Sequence, residues 1–176
     1  MLAMVTACSF VADGSGSDSL GIDPDVEQAW ALGDGMVDQY EYRTAMERFV
    51  SCLADSGYQV TAPVLSPIDQ LTLLYDIVPE GDPDTWNRNV ETCNLRHFSH
   101  IELTYVEARE QVMDDSLRSS AASCLSGKGV VLTGGERNVE DFVIAAGGDG
   151  ATAMDCVLVS ARRLFPGLPS VVKIRW

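Results

Sequence analysis

Two segments of the chain follow one pattern, S-C-L-x3-G-x3-T. Ser51, Cys52, Leu53, Gly57 and Thr61 align without a gap on Ser123, Cys124, Leu125, Gly129 and Thr133. In each copy, apolar residues at helical spacing run up to the cysteine, and the glycine offers the left-handed conformation that closes a helix. A short apolar run then follows. The copies predict two equivalent helix-to-strand units. Each is followed by a further cysteine on an expected helix, Cys93 after the first and Cys156 after the second. Four cysteines allow three pairings, and equivalent units favour Cys52 with Cys93 and Cys124 with Cys156. Two such bridges imply a compartment in which thiols oxidise.

The expected fold class is α+β, with two related helix-strand units whose disulfide-linked helices pack on a small, mostly antiparallel sheet. Residues 25–112 form the first unit and 113–176 the second, packed together as one globule. Asp38 and Glu41 make a capping-box pair that opens a helix carrying Tyr42, Ala45, Met46, Phe49 and Leu53 on one face. Residues 58–62 and 70–78 read as a hairpin. Asp82-Pro83 starts a long helix of about six turns, whose stripe runs Trp86, Val90, Cys93, His97, Ile101, Tyr105, Ala108. Asp114 and Asp115 break the chain before the second S-C-L helix, and 129–133 reads as a strand. Asn138 and Asp149 cap two further helices, and the alternation of 171–176 predicts a half-buried final strand.

A fifth cysteine, Cys8, closes the tetrapeptide Val5-Thr6-Ala7-Cys8, which has the form of a lipobox: an apolar residue, two small residues and the cysteine that receives the lipid. The stretch from Ser9 to Ser19 is rich in Gly, Ser and Asp, a composition that suits a flexible tether. Residues 1–24 are therefore read as the end of a signal peptide, the lipidation site and its tether. Only seven residues precede Cys8, too few for a charged and an apolar leader region, so the reading requires a start upstream of Met1. The membrane is then a partner through the lipid on the outer face. No apolar run reaches the ~20 residues of a spanning helix.

Twelve Lys and Arg stand against twenty-six Asp and Glu, a formal charge of −14, which disfavours nucleic acid as a partner. No basic residue precedes Arg43, and the stretch after Asp155 has no acid but carries Arg162, Arg163, Lys173 and Arg175. That asymmetry permits either pairing between the two ends or docking of the basic tail on an anionic surface.

Few residues suggest chemistry. Cys93, His97 and His100 share a helix face and could hold zinc or copper. A disulfide is the better use of Cys93, no second ligand pair is evident, and H-x2-H is an unusual spacing for a metal helix. His97 is expected at the edge of the core. Gly33 to Tyr42 matches the second half of an EF-hand loop, but the first ligand positions fall on Trp30 and Leu32, so a turn into the Asp38 cap is favoured over calcium. The chain has no G-x-S-x-G elbow, no H-E-x-x-H and no phosphate-cradling loop around Lys128. No cofactor is implied.

With V-T-A-C, the D-G-x-V-x3-E-Y entry at Asp34 to Tyr42 and the F-V-S-C-L-x3-G-Y segment at Phe49 to Tyr58, the chain resembles small lipoproteins of unknown function from high-GC Gram-positive bacteria, over residues 1 to 110. The resemblance implies a cell-envelope location and carries over no activity. Three functional expectations remain. The leading one is a lipid-anchored, non-enzymatic binding or scaffold protein. The others are a secreted hydrolase using His97 or His100 with carboxylates, and an acidic inhibitor or immunity-type protein for a basic extracellular partner.

Overall fold

The computed structural model describes residues 21–174. Cys8 and its lipobox, most of the tether, Arg175 and Trp176 lie outside the described residues. The architecture is helix-rich, with a two-stranded antiparallel sheet. In chain order the elements are α1 (Pro24–Glu27), α2 (Ala29–Leu32), α3 (Gln39–Asp55), β1 (Val64–Leu65), β2 (Leu73–Leu74), α4 (Pro83–His97), α5 (Ser99–Glu107), α6 (Asp115–Gly127), α7 (Val139–Ala145) and α8 (Gly150–Leu164). None of the described helices is long and apolar enough to cross a membrane.

Helix starts follow the polar caps. Asp38 accepts from the Glu41 amide at 2.8 Å while the Glu41 carboxylate accepts from the Asp38 amide at 2.9 Å, which completes the capping box. Asp82, Asp114, Asn138 and Asp149 cap α4, α6, α7 and α8 by accepting from first-turn amides, without the reciprocal half of the box. The two S-C-L helices also end alike. After α3, Gly57 takes a φ of 90° and the Tyr58 amide donates to Leu53 O at 2.9 Å. After α6, Gly129 takes a φ of 86° and the Val130 amide donates to Leu125 O at 3.1 Å. Both glycines use the left-handed conformation that ends a helix and satisfies its last carbonyls.

The structure joins Cys52 to Cys93 across 41 residues, and Cys124 to Cys156 across 32. The first bridge clamps α3 to α4 and the second clamps α6 to α8. In the chain-entropy description each closure destabilises the unfolded chain by roughly 4 kcal/mol. Each also sits beside one of two apolar clusters. The first gathers Phe49, Leu53, Phe98, Ile101 and Val106, with Tyr42 stacked on Tyr105 at 4.3 Å between centroids. The second gathers Leu117, Leu125, Phe142, Val157 and Ala161. Small residues let α6 and α8 approach closely, and Ser120 and Ser160 hydrogen-bond across the contact at 2.8 Å.

The clusters are stitched together. Ile68, from the β1–β2 connection, is buried in the second cluster, and the Asp114 amide donates to Pro67 O at 2.9 Å. In return the C-terminal segment reaches the first cluster, where Lys173 Nζ pairs with the buried Glu102 carboxylate at 3.0 Å. Of the basic stretch, Lys173 thus finds an acidic partner within the chain, whereas Arg162 donates to the carbonyls of Pro169 and Ser170 and Arg163 to Ser120 Oγ.

Three expectations need correction. The expected six-turn helix is broken at Phe98, whose φ of −139° leaves the helical region. Gln28, fully buried, supplies what the break removes. Its amide nitrogen donates to Leu95 O at 2.8 Å and to Ser99 Oγ at 3.1 Å, and its oxygen accepts from the His100 and Ile101 amides at 3.1 and 2.9 Å. Residues 129–133 do not form a strand. The Glu136 carboxylate instead accepts from the Thr133 and Gly134 amides at 2.8 and 3.0 Å, closing a loop. Within 171–174 no strand forms either, because the segment is held by side chains and not by a ladder. The hairpin itself is present but short, pairing Val64 with Leu74 and Leu65 with Leu73, with a further bridge from Val60 to Ile77.

Gln28→Leu keeps the volume but strands several buried backbone groups at the helix break. We expect a loss of about 3 kcal/mol in urea unfolding, since each unsatisfied buried group costs about 1 to 3 kcal/mol. A loss near zero would show that the break does not depend on Gln28.

Candidate functional site

The two histidines sit on either side of the Phe98 break, His97 as the last residue of α4 and His100 in the first turn of α5. His100 Nδ1 lies 2.6 Å from the Asp25 carboxylate of α1, and both side chains are well exposed. His97 is partly buried. Burial, then the charges of Arg48 and Arg96, hold its imidazole below the ordinary histidine range. The break therefore turns the histidines to different partners. Among the described residues no serine oxygen hydrogen-bonds to either ring, and Ser99 Oγ receives the Gln28 amide.

Cys93, the third member of the expected face, is tied to Cys52, so its sulfur is not a thiolate ligand. Among the described residues, no group of three or more His, Cys, Asp or Glu side chains could hold a metal ion. The carboxylates of the EF-hand-like stretch are engaged locally. Asp34 accepts from the Met36 amide at 3.0 Å, and Asp38 and Glu41 form the cap of α3.

A different place has the form of a binding site. A groove of about 390 Å³ runs between residues 75–78, which continue β2 as the β2 extension, the start of α4 and the C-terminal segment. Leu73, Tyr75 and Ile77 form one wall, and Trp86, Val171 and Lys173 the others. A second groove, around Glu80 and Asn87, shares Pro79 and Trp86 with it, so the indole is common to both. Neither histidine lines these grooves.

Three properties of the main groove follow from how the chain folds. The β2 extension bonds to the β1 side through alternate residues. Thr72 O accepts from Ser66, Asp76 O from Thr61, and the Val78 amide donates to Gln59 O. The intervening main-chain N–H and C=O groups of Tyr75 and Ile77 make no hydrogen bond with any described residue. Trp86 Nε1 is likewise buried without a partner among the described residues. A buried donor left unpaired costs about 1 to 3 kcal/mol, so such a group marks a place where an acceptor would be gained.

The electrostatics are layered. Lys173 is neutralised by Glu102 and lies 5.6 Å from the Tyr75 ring centroid and 5.9 Å from that of Phe98. Burial, with the nearby Glu102 charge second, raises the Tyr42 and Tyr75 phenols far above their ordinary value, so both stay protonated. At the rim, Asp76 accepts from the Ser170 amide and hydroxyl, and these bonds hold its carboxyl below the usual range. From Asp76 to Asp84 the chain carries four carboxylates and no basic residue. Of these, Asp76 stands at the rim of the main groove and Glu80 at the adjoining one.

The sequence reading passed over this groove. Trp86 is expected on the inward stripe of α4, and the β edge is open because residues 171–174 do not pair with it. The adjacent run of proline and acids from Pro79 to Asp84 was the available signal. Comparison with family models, curated proteins and solved structures finds no match.

His97 supplies a pH test of this geometry. Its folded-state affinity for protons is below that of the unfolded chain, so its contribution to stability is complete above about pH 6.5 and is lost as pH falls through the folded value. In urea titrations at several pH values, His97→Gln should flatten the decline in stability as pH falls below about 6.5. An unchanged slope would mean the imidazole is as solvated as a free histidine.

Proposed function

We propose that this protein is an extracytoplasmic binding or scaffold protein, held at the outer face of a membrane by a lipid on Cys8 and built from two related disulfide-clamped units. The observation that carries the reading is the pair of helix-to-helix disulfides, Cys52 with Cys93 and Cys124 with Cys156. Two structural bridges belong to an oxidising compartment, since cytoplasmic thiols are kept reduced. The matching glycine caps after α3 and α6 support a relation between the units.

Binding fits the site chemistry better than hydrolysis. Hydrolysis through histidine needs the ring, a carboxylate and a nucleophile or water at one concave place. Here the paired histidine is on an exposed helix end, whereas the groove lies elsewhere and holds apolar walls, an unpaired indole donor and an acidic rim. The charge of −14 fits a partner bearing positive charge, because complementary fields speed encounter. An inhibitor or immunity-type role is one form of the same reading.

The test is intact-mass analysis of protein made from a full-length precursor in a lipidating bacterial host, with and without reduction. Reduction should add the mass of four hydrogens, and the unreduced species should carry a diacylglycerol on an N-terminal Cys8. Four free thiols before reduction would overturn the compartment, and an unacylated Cys8 in a processed chain would overturn the anchor.

A further inference from the structure

We propose that the groove beside Trp86 accepts an extended, basic peptide segment of a partner protein, which adds as a strand to the free edge of the β2 extension. The inference rests on reading the protein as a binding module and names the partner of its groove.

Three independent features select this occupant. The first is the open edge. Tyr75 and Ile77 present two N–H and two C=O groups that no described residue pairs, spaced one residue apart as in any strand. An extended peptide is the ligand whose own main chain matches that alternation, which is how peptides commonly join exposed sheet edges. The second is the wall. Leu73, Ile77, Trp86 and Val171 make the groove largely apolar, and its volume of about 390 Å³ suits a few side chains and not a folded domain. Side chains on one face of an added strand, every second residue, would occupy it. The buried Trp86 Nε1 then finds an acceptor in a peptide carbonyl.

The third feature is charge. Asp76 lines the groove and Glu80 the adjoining groove that shares Pro79 and Trp86 with it, while Arg162 acts on Asp76 from the C-terminal side and Arg88 on Asp82. Hydrogen bonds from Ser170 and from Thr85 keep the Asp76 and Asp82 carboxyls below the usual range, so both stay ionised at neutral pH. The one ammonium lining the groove, Lys173, is paired with Glu102. Lys or Arg at the positions of the peptide that face away from the apolar wall would meet this rim, whereas acidic residues there would be repelled.

The fold gives the slot its second side. The final segment alternates as a strand does, yet 171–174 joins no ladder and is fixed from the side, by Lys173 on Glu102 and by the Ser170 and Val171 amides on Asp76. It stands off from β2 and leaves the gap between them as the groove. An inserted strand would lie between these two segments.

The experiment is calorimetric titration of the oxidised full chain with an end-blocked nonapeptide of alternating Lys and Val. Three comparisons accompany it: a Glu and Val peptide of the same pattern, the Lys and Val peptide with every backbone N–H methylated, and the Trp86→Phe protein. Saturable binding is expected for the basic peptide, weakening as salt is raised. Replacing Lys by Glu or methylating the backbone should each weaken it at least ~10-fold, and Trp86→Phe, which keeps a ring but removes the donor, should weaken it about fivefold. The methylated peptide needs no protein variant, so a folding defect cannot mask the answer. Equal affinity for the methylated and parent peptides, or no saturable binding up to ~1 mM, the weak end of measurable affinities, would overturn the proposal. Such a failure leaves the mass measurement on the disulfides and Cys8 untouched, and the two readings stand or fall separately.

Discussion

The bridge between each S-C-L helix and a later helix is the constraint on which the architecture rests. The apolar clusters beside them are modest, one centred on Phe49 and Phe98 and the other on Leu125 and Phe142. For a chain with a net charge of −14, self-repulsion works against compaction. Closing loops of 41 and 32 residues removes unfolded conformations that those cores would otherwise have to outcompete. With α3 fixed on α4 and α6 on α8, the remaining segments need only cross-connect. The β1–β2 connection sends Ile68 into one cluster, and the tail sends Lys173 to the other.

That arrangement produces the groove as a consequence. A tail anchored by side chains at Asp76 and Glu102 lies near the sheet without joining it. Among the described residues the edge of the β2 extension stays open and the Trp86 indole unpaired, with Asp76 at the rim. Open strand edges invite pairing with other chains, and native proteins blunt them with charge, proline or cover. Here Pro79 and Asp76 flank the edge, which would admit a basic strand while discouraging a second copy of the same acidic chain.

Features set by neighbours in the sequence were legible in it. The caps at Asp38, Asp82, Asp114, Asn138 and Asp149 need only residues within a helical turn, and the pairing of the cysteines followed from the repeated pattern around Cys52 and Cys124. Features set by distant residues were not. The stripe from Trp86 to Ala108 keeps helical period through Phe98, but Gln28 reaches the break from 67 residues before Leu95. The run 129–133 has strand composition, yet one carboxylate, Glu136, takes up the amides a ladder would have used. The final segment alternates correctly and still forms no strand up to Ile174. The histidines looked like a common face because a continuous helix would have made them one.

The account turns on which sulfurs are joined. Proteolysis of the oxidised chain without reduction, followed by mass spectrometry of the linked fragments, reads this directly. The Cys52 fragment should appear joined to the Cys93 fragment, and the Cys124 fragment to the Cys156 fragment. Linkage between the two sets, such as Cys52 to Cys124, would contradict the two clamped helix pairs and the groove their packing creates.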